Sequence, residues 1–302
     1  MSETPADIAV SPNAMTVGEA VELPPRGRRL RLASFLLRRD PLACALVLVF
    51  LLAATIGPFL APYPPNAPDL EATLQGPSAA HLLGTDQFGR DILSRLLTAS
   101  RVAAEAVLIV ILIGGVIGTL LGSLAGLFGG AIDAIVSRMI EIVQGFPIVL
   151  LAIAVVAVAG PSLLNAMIAV AVGAIPDFAR VARSVAIQLR TREFVEAARS
   201  VGASEPRILT TEILPNMVGA LVVIATFDGA QAVMYEAALS FLGLGVQPPE
   251  ASFGGMLSEA KEYLALDAWY AFVCGVALAA VILGLNLLGD ALSDYFQRTG
   301  RR

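Results

Sequence analysis

Apolar residues gather into six long runs, at 42–60, 102–124, 140–159, 163–178, 217–239 and 270–288, separated by polar, Arg-bearing or Pro-rich segments. Runs of this length approach or exceed the ~20 residues that a helix needs to cross a ~30 Å hydrocarbon core. Each is read as a membrane-spanning helix, so the pattern predicts an all-α polytopic membrane protein with six transmembrane helices. A transmembrane barrel would show short alternating segments instead. Prolines punctuate the runs. Pro41 and Pro62 flank the first, Pro161 and Pro176 sit near the boundaries of the fourth, and Pro147 follows Gly145-Phe146 early in the third, where it favours a bend.

Finer periodicity adds detail. Gly114, Gly118, Gly122 and Gly126 recur in steps of four along the second run and its end. Such a stripe lets another helix approach closely, either as static packing or at a moving interface. Before that run, Ile92, Leu93, Leu96 and Leu97 form an apolar stripe with Asp91 and Arg95 opposite, four residues apart. This predicts an amphipathic helix at the membrane surface within the loop 61–101, either receiving a soluble partner or leading into the second span. In the polar loop 180–216, Phe194, Ala197, Ala198 and Val201 recur at helical spacing, and Gly202 stands where a left-handed cap belongs. Ser204 can cap a second short helix, with Glu205 and Pro206 in its first turn and Pro215 at its end. Helices this short need something to dock on.

Charge orients the spans. With the N-terminus inside, all but four of the 20 Lys and Arg residues lie on the inner side, including Arg26, Arg28, Arg29, Arg31, Arg38, Arg39, Arg301 and Arg302. The four outside are Arg90, Arg95, Arg101 and Lys261. Both termini are therefore read as cytoplasmic. The organisation is a cytoplasmic tail 1–40, the first span, an outer loop 61–101, a core 102–290 that includes the cytoplasmic loop 180–216 and an outer loop 240–269, and a cytoplasmic tail 291–302. Residues 1–25 lack the basic start and apolar core of a cleaved signal.

Composition fits this and removes whole chemistries. The 302 residues are 15% charged, against roughly 25% in soluble domains, with a mean hydropathy of +0.77. Lys261 is the sole lysine and no GxxxxGK[ST] loop surrounds it, so the chain is expected to hydrolyse no ATP. His81 is the sole histidine, read as a solvated loop residue, which leaves no His-rich metal site. Cys44 and Cys274, in separate apolar runs, are read as small buried hydrophobes with no disulfide and no redox role. Neither catalytic residues, a metal, a cofactor nor a nucleic-acid partner is expected. Among ionisable residues near membrane depth, Glu141, Asp177, Asp228 and Glu236, Asp228 lies deepest. It reads either as a pathway residue or as a partner in an interhelical hydrogen bond or a contact with another subunit.

Glu196-Ala197-Ala198, then Gly202, then Leu214-Pro215 resembles the signature loop (EAA motif) of binding-protein-dependent ABC importer permeases. Glu212 stands where that family usually has an apolar residue. The stretches 83–91 (Gly84, Thr85, Asp86, Gly89, Arg90 and Asp91 among them), 236–245 and 286–290 resemble the dipeptide/oligopeptide/nickel group, in particular the second of its two paired permeases. The likeness covers about 30–298. It implies the type I ABC importer permease fold in a bacterial inner membrane. It also implies a companion permease, two ATP-binding subunits that hold ATP and Mg, and an extracytoplasmic solute-binding protein. Cargo would be peptides, nickel chelates, glutathione, opines or oligosaccharides. Glu196 and its neighbours would form a coupling helix in a groove of the ATPase subunit, with Arg199 and Arg207 available to pair with that partner.

Two other classes fit the sequence less well. A stand-alone secondary transporter would often carry inverted repeats, and none is evident. An intramembrane enzyme of Ser–His or metal type would need a His at depth, whereas His81 is in an outer loop.

Overall fold

The structure is a computed structural model that describes residues 29–300. Most of the expected N-terminal tail, with Arg26 and Arg28, lies outside the described residues, as do Arg301 and Arg302. Helix α1 covers Arg29–Arg39, α2 Pro41–Thr55 and α3 Gly57–Leu60. After a 3-10 turn at Leu70–Ala72, α4 (Ile92–Val110) runs through a π-turn at Ile111–Gly115 into α5 (Val116–Phe128). Then come α6 (Gly130–Gln144), α7 (Ile148–Ala159), α8 (Leu163–Leu189), α9 (Glu193–Ser200) and α10 (Glu205–Ile208). A second π-turn at Leu209–Ile213 leads into α11 (Leu214–Phe241), followed by α12 (Phe253–Lys261) and α13 (Ala268–Gly300). Among the described residues the β-structure is one antiparallel bridge, Thr85 to Asp91.

Four continuous helices are long and apolar enough to cross a membrane: Ile92–Phe128, Leu163–Leu189, Glu205–Phe241 and Ala268–Arg298. The pair α6–α7 is a fifth if its two arms, bent by 81°, are one span. The bend falls at Gly145-Phe146-Pro147, where Pro147 is expected to favour one, and it is sharp enough to break the run 140–159 into two helices. Pro147 becomes the cap of α7 with an extended ψ of 125°, and its ring disfavours helical backbone at Phe146 before it. Helix α2 is apolar but only 15 residues long.

Several boundaries differ from those expected, for physical reasons. Helix α8 continues past Pro176 to Leu189. The two arginines at 180 and 183 disguise an apolar stripe of Ala179, Ala182, Val185, Ala186 and Leu189, all buried. A proline inside a membrane helix is tolerated where neighbours resatisfy the backbone. The helix expected at the outer surface is instead the first part of the 37-residue Ile92–Phe128 rod. Its stripe faces protein, with Ile92 and Leu96 in a core with Phe50, Val233, Phe253 and Met256. Of the two roles weighed for it, the structure builds the lead into the second span. The tail 291–302 is helical through Gly300, and 29–39 is a helix laid on α13. There Phe35 packs on Tyr295 at 5.3 Å, and Arg39 binds Asp294 at 2.9 Å.

The glycine stripe packs against α8 within the chain. A Cβ at Gly114, Gly118, Gly122 or Gly126 would lie 2.6, 2.5, 2.1 or 2.6 Å from the carbonyl oxygen of Ala171, Ile175, Ala179 or Arg183 respectively. Both sides advance by four, so α5 and α8 run in register with backbones nearly touching. Dispersion rather than a hydrophobic drive supplies such contacts in lipid.

Candidate functional site

An elbow expected on the cytoplasmic side is built from α9, α10 and the start of α11. Gly202 adopts φ +83°. Its N–H donates to the Arg199 carbonyl at 3.0 Å, and the Ala203 N–H donates to the Ala198 carbonyl at 3.0 Å. These are the two bonds of a Schellman cap. A Cβ on Gly202 would meet nothing within 4 Å, so the glycine answers a conformational need and not a steric one. Val195, 0% exposed, pins α9 against Leu127, Leu189, Ile208, Ile213 and Met217. The expected apolar face therefore divides. Ala198 is half-buried beside Val195, whereas Phe194, Ala197 and Val201 are exposed, Val201 at 85%. Sequence periodicity missed Val195 because the helix docks on the face one residue round from the one chosen; its spacing of three from Ala198 was the available signal.

Glu196 is exposed, and so is Arg207, which has no ion pair among the described residues. Arg199, expected to face a partner, is used within the elbow. Its Nε donates to Glu205 at 2.9 Å and its Nη1 to the Arg190 carbonyl at 3.4 Å. The hydrogen bond that Arg199 donates to Glu205 raises the guanidinium's pKa above its ordinary value. Ser204 occupies the cap position of α10 without a side-chain cap bond. Leu214 and Pro215 do not end a short helix as expected; they open α11, and the rod is continuous over Glu205–Phe241. The π-turn just before Pro215 widens the turn that would clash with its ring and lack its N–H. The elbow is thus one short helix fixed to a 37-residue helix.

The outer motif forms a buried charged ring. Gly84 and Gly89 have φ +81° and +73°, and a Cβ on Gly89 would lie 1.6 Å from the Asp69 carbonyl oxygen. The Thr85 hydroxyl donates to the Ala72 carbonyl and accepts from the Gln75 N–H at 2.9 Å. Asp86, 0% exposed, accepts from the Phe88 and Arg90 N–H groups and from Arg90 Nε at 2.6 Å. Arg90 reaches Glu259 of α12 at 2.8 Å, Glu259 meets Arg95 at 3.2 Å, and Arg95 returns to Asp86 at an ion-pair distance of 3.4 Å. The Tyr270 hydroxyl also donates to Glu259, at 3.2 Å. Two acids and two arginines alternate around a closed circuit that ties the loop to α4, α12 and α13. Glu259, 169 residues from Arg90 in the chain, escaped sequence reasoning because no local spacing announces it.

The expected Asp91–Arg95 pair does not form. Asp91 caps α4 through the Ser94 N–H at 2.8 Å and binds His81 Nδ1 at 3.0 Å. His81 is not solvated. Its side chain is 12% exposed and stacks on Tyr63 at 4.7 Å. Cys44 and Cys274 are free thiols.

In the membrane-depth region Asp228 is 4% exposed and its Oδ2 has no hydrogen-bond partner among the described residues. An interhelical hydrogen bond therefore does not account for that oxygen. Glu236, 1% exposed, accepts from the Ser240 hydroxyl at 2.8 Å. Glu141 instead pairs with Arg138 on an exposed face at 2.7 Å. The described residues contain no group of three metal-ligating side chains.

Comparison with known proteins adds a family. Residues 118–302 match the family of binding-protein-dependent transport system inner membrane components. The chain is 40% identical over 263 residues to the probable D,D-dipeptide transport system permease protein DdpC of Escherichia coli K12, covering 86% of this chain and 88% of that one. It is 39% identical to the dipeptide transport system permease protein DppC of Alkalihalophilus pseudofirmus, with 81% of each covered. It is 43% identical to the glutathione transport system permease protein GsiD of Salmonella typhimurium, with 82% of each covered. In fold it resembles the MetNI methionine ABC transporter solved in inward-facing conformations, with a TM-score of 0.52 at 20% identity over 69% of this chain and 95% of that one. On the extent of the family match and the length and identity of these alignments, the chain belongs to the binding-protein-dependent transport system inner membrane components.

Proposed function

We propose that this chain is one permease subunit of an ATP-driven importer, the second of a permease pair, and forms half of the translocation pathway for peptides or related small solutes. Its relatives' names as D,D-dipeptide, dipeptide and glutathione permeases support that cargo. The chain catalyses nothing itself. ATP and Mg belong to two separate ATP-binding subunits, and an extracytoplasmic solute-binding protein delivers cargo. Six spans, counting α2 with α3 as the first and the bent α6–α7 as the third, leave both termini in the cytoplasm of a bacterial cell. Asp228 belongs to the pathway.

The elbow carries this reading. Glu196, Ala197 and Phe194 present an exposed face, and the small side chain of Ala197 lets a partner groove approach closely there. The Schellman cap at Gly202 and the Arg199–Glu205 pair make α9 rigid with the long helix that follows. Closure of an ATPase pair against α9 is then transmitted to α11 as a lever, whereas a flexible loop would absorb it. The test is transport by the reconstituted complex. Gly202→Val forces a branched side chain into φ +83°, at a cost of about 1–2 kcal/mol. It is expected to lower solute uptake per ATP hydrolysed by about tenfold. Gly202→Asn, which tolerates that conformation, is expected to keep most coupling. Equal coupling in the Val variant and the wild type sinks the lever.

A further inference from the structure

Helix α1 has two faces. Leu32, Phe35 and Leu36 pack on Leu292, Tyr295 and Phe296 of α13, and Arg298 lies over the Phe35 ring at 5.8 Å. Ser34, Leu37 and Arg38, three and four residues apart, share another face and are exposed, Leu37 at 61%. The helix ends at Asp40, whose φ of −143° and ψ of 82° turn the chain before Pro41 opens α2. Along α2 the exposure continues in steps of three and four, through Leu42, Ala45, Val49 and Leu52. With α2 as the start of the first span, this apolar stripe faces hydrocarbon. Leu37, Arg38 and Leu42 then stand where the stripe reaches the polar boundary of the membrane.

Charge at this boundary is one-sided. Residues 26–39 hold six arginines and no acid. Of the acids nearby, Asp294 is taken by Arg39 at 2.9 Å, and Asp40 accepts from the Ala43 N–H at 3.0 Å as the cap of α2. Arg38 is exposed and has no ion pair among the described residues. Basic side chains beside exposed apolar ones on a helix that abuts a span fit a surface of anionic headgroups above acyl chains. A soluble acidic partner could meet the arginines, but Leu37 and Leu42 continue the stripe that faces lipid. The geometry points to α1 as a docking surface for anionic phospholipid of the cytoplasmic leaflet. A lipid phosphate accepts from the Arg38 fork, its acyl chains lie over Leu37 and Leu42, and the other arginines of the segment add to the attraction. The Arg39–Asp294 pair and the packing of Phe35 on Tyr295 hold α1 in place on α13. The inference rests on the proposed reading that this end of the molecule is cytoplasmic, and adds to it a preference for one class of lipid.

The test uses the complete complex, with its other subunits free of reactive cysteine. Leu42→Cys is introduced into a chain carrying Cys44→Ala and Cys274→Ala, and a fluorophore is attached at the new thiol. The complex is reconstituted in vesicles of equal parts phosphatidylcholine and phosphatidylglycerol, with a nitroxide near the top of the acyl chain of one lipid or the other. Quenching is expected to show about fivefold selectivity for phosphatidylglycerol, the effect of one arginine at an anionic surface. Arg38→Lys keeps most of it, since the charge stays, and Arg38→Gln lowers it. Combining Arg29→Gln, Arg31→Gln and Arg38→Gln brings the two lipids level. Equal quenching by both lipids with the arginines intact overturns the inference, as does selectivity that survives the triple substitution. Quenching by neither lipid overturns it too, because protein then covers the stripe. Sidedness is measured alongside by an impermeant maleimide on Gln297→Cys, an exposed position on α13 beside α1. Reaction only from the outer face overturns the cytoplasmic reading, whereas reaction from the cytoplasmic face with level quenching overturns the lipid surface alone.

Discussion

Glu259 closes the circuit of charges that clamps the outer loop, and its removal has a calculable consequence. Arg90 and Arg95 are 5% and 1% exposed, so neither can be rehydrated in place if its acid is deleted. Breaking a buried pair by removing one partner costs about 3–5 kcal/mol, because the surviving charge stays buried and uncompensated. Glu259 is itself 22% exposed at the side chain, which puts Glu259→Ala at the lower end of that range. The expected outcome is a fall of several degrees in the thermal midpoint of the solubilised chain. Combining Glu259→Ala with Arg95→Met should cost less than the sum of the two, since both remove the same interaction. An additive result would mean the four charges act as separate pairs. The ring was illegible in the sequence for a plain reason: ion pairs across 164 to 169 residues leave no periodic trace. The i,i+4 rule pointed at Asp91–Arg95, while the fold spends Asp91 on a helix cap and His81.

At the scale of elements, the spacing of the glycines could be read in the sequence and their partner could not. Steps of four announced a close helix contact, but the facing carbonyls of Ala171, Ile175, Ala179 and Arg183 came only with the register of α8. The elbow shows the same division. Gly202 as a left-handed cap and a helix before it followed from local chemistry. The docking face did not, because burial of Val195 depends on Leu127 and Met217 from distant parts of the chain. Proline boundaries failed at Pro176 and Pro215 for a shared reason. Tertiary packing and π-turns absorb a missing N–H that a sequence rule treats as a stop. The packing argument makes a sharp contrast testable. Gly122→Val would place its Cβ 2.1 Å from the Ala179 oxygen, where only a backbone shift can relieve the clash. Gly275 in α13 has nothing within 4 Å of a Cβ. Overpacking costs typically 1–3 kcal/mol, and more against backbone, whereas Gly→Ala at an open helical site gains up to ~1 kcal/mol. Gly122→Val should lower the thermal midpoint and the yield of folded chain, and Gly275→Ala should leave both unchanged or raised. Tolerance of Gly122→Val would contradict the register of α5 against α8.

For the whole molecule, the decisive feature is that the elbow and the outer charged ring are joined by a single rod. Glu205–Phe241 runs 37 residues, about 55 Å of helix, well beyond a ~30 Å hydrocarbon core. Its lower end carries α9, and its upper end leads through 242–252 to α12 and Glu259. On the proposed reading the two ends therefore belong to opposite faces of the membrane. Val201 on the elbow and Leu266 after α12 are 85% and 80% exposed, which makes both suitable reporters. In a chain with Cys44→Ala and Cys274→Ala, Val201→Cys should react with an impermeant thiol reagent only from the cytoplasmic face. Leu266→Cys should react only from outside. Reaction of both from one face would mean that this rod does not cross, and the lever argument would fail with it. The same pair separates docking from mere exposure. Adding the ATPase subunits should slow labelling at Val201 and leave Leu266 untouched, because a groove that receives α9 covers the one and lies a membrane's thickness from the other.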